Sequence, residues 1–173
     1  MTKGLARSIG RGDQFQAPIV KETYVLRNLP IAVVGTTGIG FAGVIVGGLP
    51  PGNVLFLGGV AYLQVSSPTA DADVIATWTG AFSIGTAITA DSTLAGAEVD
   101  IIPQTTLAAA TARTSPNTRG VSASASTGVI FDNTDNTLNL NVNLLIDDAS
   151  ISGTADMVIN GTVQLSYIVL GDD

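Results

Sequence analysis

Leu138-Asn139-Leu140-Asn141-Val142-Asn143-Leu144-Leu145-Ile146 alternates aliphatic and amide side chains as far as Leu144. A period of two puts every aliphatic group on one side of an extended chain, the mark of a β-strand with a buried face. Just upstream, Asp132-Asn133-Thr134-Asp135-Asn136 is turn chemistry, because Asp and Asn side chains bond their own backbone and tolerate left-handed φ. The two together predict that Val121–Phe131 and Leu138–Ile146 pair as a hairpin around a loop of roughly four to six residues.

The last apolar stretch, from Met157 to Leu170, contains Asn160-Gly161, a strong two-residue hairpin signal. Parity decides against that turn. A hairpin there would put Met157 and Ile159 on the face of Thr162 and Gln164, whereas a continuous strand keeps them with Val163, Leu165, Tyr167 and Val169. One long strand is expected, with Gly161 as a bulge or close-approach site.

Working toward the N-terminus, Ala72–Ile84 carries the only tryptophan and reads as a strand bent at Gly80. Residues 85–118 read as a long connection with short pieces of structure, Thr105–Ala112 being its likeliest helical turn by composition. Ile31–Val46 and Val54–Val65 flank Pro50-Pro51-Gly52-Asn53 and predict two or three short strands, with Val60 and Tyr62 sharing a face. Strands separated by turns, without intervening helices, define the class: an all-β protein, a β-sandwich of jelly-roll-like type. Residues 1–30 read as an extended arm and 31–173 as a single sandwich body.

Charge divides the chain in a different way. Five of the seven basic residues (Lys3, Arg7, Arg11, Lys21, Arg27) fall in the first 27 positions, and twelve of the fourteen acids lie from Asp71 onward. A basic arm on an acidic body suits attachment to a larger surface. With only 12% charged residues and a mean hydropathy of +0.44, burial against copies or a partner is expected as well.

Several chemistries lack their residues. The chain has no cysteine and no histidine, which removes disulfides, thiolate metal sites and the usual general base. No cofactor, no metal ligand set and no catalytic group is expected. Gly38-Ile39-Gly40-Phe41-Ala42-Gly43 matches a dinucleotide fingerprint in letters, but Gly47-Gly48-Leu49-Pro50-Pro51 forbids the helix that motif requires. Residues 31–49 are uncharged and long enough to raise the question of a membrane span, yet their glycines and the Pro50-Pro51 stop favour buried strands. The N-terminus has no apolar core behind its positive residues, so a standard signal peptide is not expected. Arg11-Gly12-Asp13 receives no function, and Asp132, Asp135, Asp147 and Asp148 are assigned to turns in preference to a cation site. Nucleic acid is excluded as a partner because five diluted cations face an acidic body.

Three segments, TWTGAFSIGTAITADSTLAGAEVDIIPQTTLAAATART (77–113), FDNTDNTLNLNVNLLIDDASIS (131–152) and VQLSYIVLGDD (163–173), resemble the head decoration, or cement, proteins of tailed bacteriophages. The resemblance implies a β-rich homotrimer, made in the host cytoplasm, that binds the outer surface of the virion head and holds neighbouring major capsid protein subunits together. It marks no residue of the contact. The charge pattern selects Lys3, Arg7, Arg11, Lys21 and Arg27, with Phe15 and Tyr24, as capsid-binding residues. Alternatives are another virion part, such as a tail tube or head fibre subunit, or a receptor- or carbohydrate-binding sandwich, for which one tryptophan and three tyrosines are few.

Overall fold

A computed structural model describes residues 18–36, 38–67, 74, 76–148, 151 and 153–171. Within them run strands β1 (Val20–Thr36), β2 (Ile39–Gly48), β3 (Gly52–Ser66), β4 (Thr79–Gly85), β5 (Ile102–Thr106), β6 (Thr114–Val121), β7 (Ile130–Asn133), β8 (Asn139–Asp147) and β9 (Thr154–Gly171). A single 3₁₀ turn, Gly96–Glu98, stands between β4 and β5.

All the ladders are antiparallel and follow the order β5-β4-β8-β2-β1-β9-β3-β6, with β7 also paired to β3. The order folds into two four-stranded layers, β1-β9-β3-β6 and β2-β8-β4-β5. The pairs β1·β9, β2·β8, β3·β6 and β4·β5 are nested in sequence, which is the winding of a jelly roll. A ladder at Val34–Thr36 and Ile39–Phe41 joins the layers on one side. On the other side the chain just past β5 is tied to β6 by side chains: the Ala108 N–H donates to Thr118 Oγ1 at 3.0 Å and Ser115 Oγ donates to the Ala108 carbonyl at 2.7 Å. The sheet is thus nearly closed, which leaves few unpaired edges.

Between the layers lies an aliphatic core. Leu140, Val142, Leu144 and Ile146 of β8 face Val33, Leu63, Val65, Met157, Ile159 and Val163, all buried, and Phe56 meets Phe131 edge-on with ring centroids 6.1 Å apart at 72°. β9 runs unbroken through Asn160-Gly161, as parity predicts. Gly161 has φ +146°, and a Cβ there would collide with the Tyr62 carbonyl oxygen, so the position requires glycine. The bulge sits on the partner strand: Arg27 and Asn28 together oppose Asn160, and Asn28 N–H donates to Asn160 Oδ1 at 2.8 Å.

Four expectations need correction. The arm expected to reach residue 30 gives way at Val20, because Val20, Glu22, Tyr24 and Leu26 turn toward the sandwich interior and the strand pairs with β9 throughout. The hairpin of Val121–Phe131 with Leu138–Ile146 does not form. Its turn exists, built by Asn133, whose Nδ2 donates to the Leu49 and Pro50 carbonyls and whose Oδ1 accepts from Leu138 N–H at 2.8 Å. It is a corner, though: β7 pairs with β3, and β8 crosses to the other layer between β2 and β4. Thr105–Ala112 forms no helical turn, since Leu107 and Ala110 N–H donate to the Gly80 and Trp78 carbonyls and carry the chain on alongside β4. Trp78 precedes its strand, which starts at Thr79.

The asparagines of β8 also differ from a solvent face. Asn141 and Asn143 are buried: Asn141 Nδ2 donates to Gly85 O at 3.2 Å, and beneath the connection 86–98 Asn143 Oδ1 accepts from Thr89 N–H at 2.9 Å while its Nδ2 donates to Ala87 O at 2.9 Å and Glu98 O at 3.1 Å. The middle of β8, residues 140–144, is therefore covered on both faces.

The glycine run of the fingerprint-like motif lies in and just before β2. Gly40 packs directly on Val33 and Ile151, and Gly43 on Ile88 and Asn143, so these glycines serve close approach. Among the described residues no helix is long and apolar enough to cross a membrane, a statement that does not bear on strands.

Candidate docking face

The outward side of β1-β9-β3-β6 brings distant residues into rows fixed by the ladders. The first row is Ile168–Leu55–Ile130, continued past Ile168 by Ile19, which is 61% exposed just before β1, with Leu170 next along β9. The next is Lys21–Ser166–Gly58, then Thr23–Gln164–Val60–Val121, then Val25–Thr162–Tyr62–Arg119. Arg27 follows at the bulge. Val25, Tyr62, Val121, Ile130 and Leu170 all keep more than a third of their surface in contact with water. An exposed aliphatic band bordered by cations is a surface shaped for a partner.

The charges are sorted between the faces. Lys21, Arg27 and Arg119 stand here against one acid, Asp156, which lies opposite Ala32. Of the other described acids, Glu22 of β1 turns inward to Tyr167, Asp91, Glu98 and Asp100 lie in the β4–β5 connection, Asp132 and Asp135 in the β7–β8 turn, and Asp147 and Asp148 at the end of β8. Asp132 Oδ1 accepts from the Thr134 N–H and hydroxyl, at 3.1 and 2.8 Å. Asp135 does the same with Thr137 at 3.2 and 2.8 Å, so both carboxylates build turns. The hydrogen bonds from Thr134 hold the Asp132 carboxyl below its usual range. Among the described residues no three carboxylates are grouped for a metal ion.

Of the residues selected from sequence, Lys21 and Arg27 share this face, and Lys3, Arg7, Arg11 and Phe15 lie outside the described residues. Tyr24 points the other way. Its ring lies over Gly47, where a Cβ would strike it, and its hydroxyl donates to the Gly48 carbonyl at 3.3 Å. Burial, then a hydrogen bond to Glu22, pushes the Tyr24 phenol upward. Tyr167 donates to Glu22 Oε2 at 2.8 Å, and burial followed by that bond pushes its phenol up to about 12. Tyr24 thus belongs to a phenol–carboxylate cluster at one end of the core, away from the cations.

Arg119, Tyr62 and the band Leu55, Ile130 and Ile168 complete the face without having been singled out for it. Val60 and Tyr62 were legible as sharing a side. Arg119 was hidden because β6 lies largely within a segment read as connection. No family model, no curated protein and no solved structure matches this chain.

Proposed function

We propose that this chain is a structural virion protein that cements a bacteriophage head, with the outward face of β1-β9-β3-β6 laid on the outer surface of the capsid. The sorting of Lys21, Arg27 and Arg119 onto one aliphatic face of an otherwise acidic molecule carries this reading. A net charge of −7 would repel an acidic lattice from most directions and present the cationic face to it. The aliphatic band then supplies contact area, and the cations fix orientation and speed encounter.

The chain works without catalysis, by bridging neighbouring major capsid protein subunits. Lys3, Arg7, Arg11 and Phe15, in residues 1–17, add basic and aromatic contacts to a neighbouring subunit in this reading. Assembly as a homotrimer multiplies weak single contacts through effective concentration. Expansion of the lattice or pressure from packaged DNA must then break these contacts along with the capsid's own.

The test is co-sedimentation with empty mature capsids, comparing the full chain, a chain lacking residues 1–17, and the triple variant K21E/R27E/R119E. Saturable binding that both changes weaken is the expected result. Absence of binding by the full chain, with spontaneous tubes or fibres in its place, would replace the reading with a tail or fibre subunit.

A further inference from the structure

The docking face is not flat. At its centre β3 bulges at Leu57-Gly58, and beside Gly58 lies a depression of about 360 Å³ bordered by Lys21, Thr23, Val60, Gln164 and Ser166, with Glu22 also at its edge. Gly58, opposite Ser166 on the outward side, has φ +146°, a conformation that only glycine adopts readily, whereas Gly59, opposite the buried Leu165, faces the core, where a Cβ would press on Leu165. The Gly59 N–H is already committed to Ser122 Oγ at 2.9 Å, which pins the bulge in place. The missing side chain at Gly58, on the floor of the hollow, is therefore required by the backbone.

We propose that this hollow receives an acidic side chain of the docking partner, an Asp or Glu flanked by apolar residues. The inference rests on the attachment reading and specifies its chemistry. One ammonium (Lys21), two hydroxyls (Thr23, Ser166) and one amide (Gln164) line a depression with room for a carboxylate side chain and its neighbours, and no carboxylate side chain of the outward face is in register with them; Glu22, the adjacent acid, turns inward to Tyr167. Every one of those four groups can donate a hydrogen bond, the inventory a carboxylate needs. The rows on either side set what must accompany the acid. Ile168–Leu55–Ile130 lies below and Val25–Thr162–Tyr62–Arg119 above, so a partner that seats its carboxylate also covers apolar surface on both flanks. A phosphate backbone would meet few aligned cations here, and a second copy would have to offer one of its own turn carboxylates.

Two measurements separate the hollow from the wider reading. In the first, ¹⁵N-labelled full chain is titrated with N-acetyl-hexaglutamate amide. Shifts concentrated at Gly58, Gly59, Gln164 and Ser166, lost in K21M and in the hollow-filling T23W, are expected; shifts that are absent, or equal with an oligothymidylate of the same charge, overturn the proposal. Concentration-dependent shifts at the same amides without peptide would assign the hollow to a second copy and overturn it too. In the second, K21M and T23W are sedimented with capsids, and each should weaken binding about tenfold or more, the scale of one buried charge-assisted contact. Wild-type binding by both variants refutes the hollow while leaving attachment intact. Failure of the unmodified chain to bind refutes attachment, and the peptide titration then judges the hollow alone. Circular dichroism and urea unfolding of both variants exclude misfolding as the cause of any loss.

Discussion

At the scale of single residues, glycine and asparagine fix corners and close approaches that the aliphatic core alone does not specify. Gly161 could be anticipated from sequence as a close-approach site because parity demanded a strand across it, and its positive φ and contact with Tyr62 supply the physical reason. Gly161→Ala should cost more than about 2 kcal/mol in urea unfolding, since it adds backbone strain to a steric collision. Asn143→Leu tests the buried amide: it leaves Thr89 N–H and two carbonyls unpaired and should destabilise by roughly 2–4 kcal/mol despite being more apolar. The same asparagine shows where sequence falls short. A period of two cannot tell a polar face turned to water from one turned to a covering loop, because both need an amide or a charge at alternate positions. Tyr167 allows a pH prediction. Its pKa is raised in the folded state, from 10.0 to about 12, so its contribution is complete below about pH 10 and fades as pH climbs toward 12. Tyr167→Phe should flatten the loss of stability between those values, as read by unfolding at a series of alkaline pH.

Among the elements, β1 was the one most easily misjudged. Its cations gave the impression of an arm, whereas Lys21, Thr23, Val25 and Arg27 are the solvent side of a strand whose other side is core. Charge on alternate positions of a one-sided strand and charge on a free segment look alike in a window this short. A chain lacking residues 1–17 should therefore retain cooperative unfolding, while one lacking 1–27 loses half of β1 along with Leu26 and should fail to fold; far-ultraviolet dichroism and urea titration distinguish the two. β8 and β9 were legible for the opposite reason: each is long, strongly alternating and flanked by turn chemistry. The partners of β8 were not legible. A turn read in isolation implies that its two arms pair, and only the winding of the whole sheet sends β7 to β3 and β8 to the other layer.

For the whole molecule, the class of fold followed from strand-and-turn texture, and the docking face did not, because its rows join residues as far apart as Lys21, Gly58 and Ser166. Raising salt should lower capsid affinity of the full chain more than that of K21E/R27E/R119E, since exposed charges are screened over about 10 Å at 0.1 M ionic strength while the aliphatic band is not. A smaller salt slope for the triple variant, measured by sedimentation at several ionic strengths, is the expected outcome. The ladder between β1 and β9 has a further consequence, a mechanical one. Tension applied at Val20 along the strand would load the β1·β9 hydrogen bonds side by side, in shear, so that many must give way together instead of opening one after another. A body gripped through the chain that enters at Val20 is thus held by its strongest direction, and the two antiparallel strands act as a lap joint between the tether and the core.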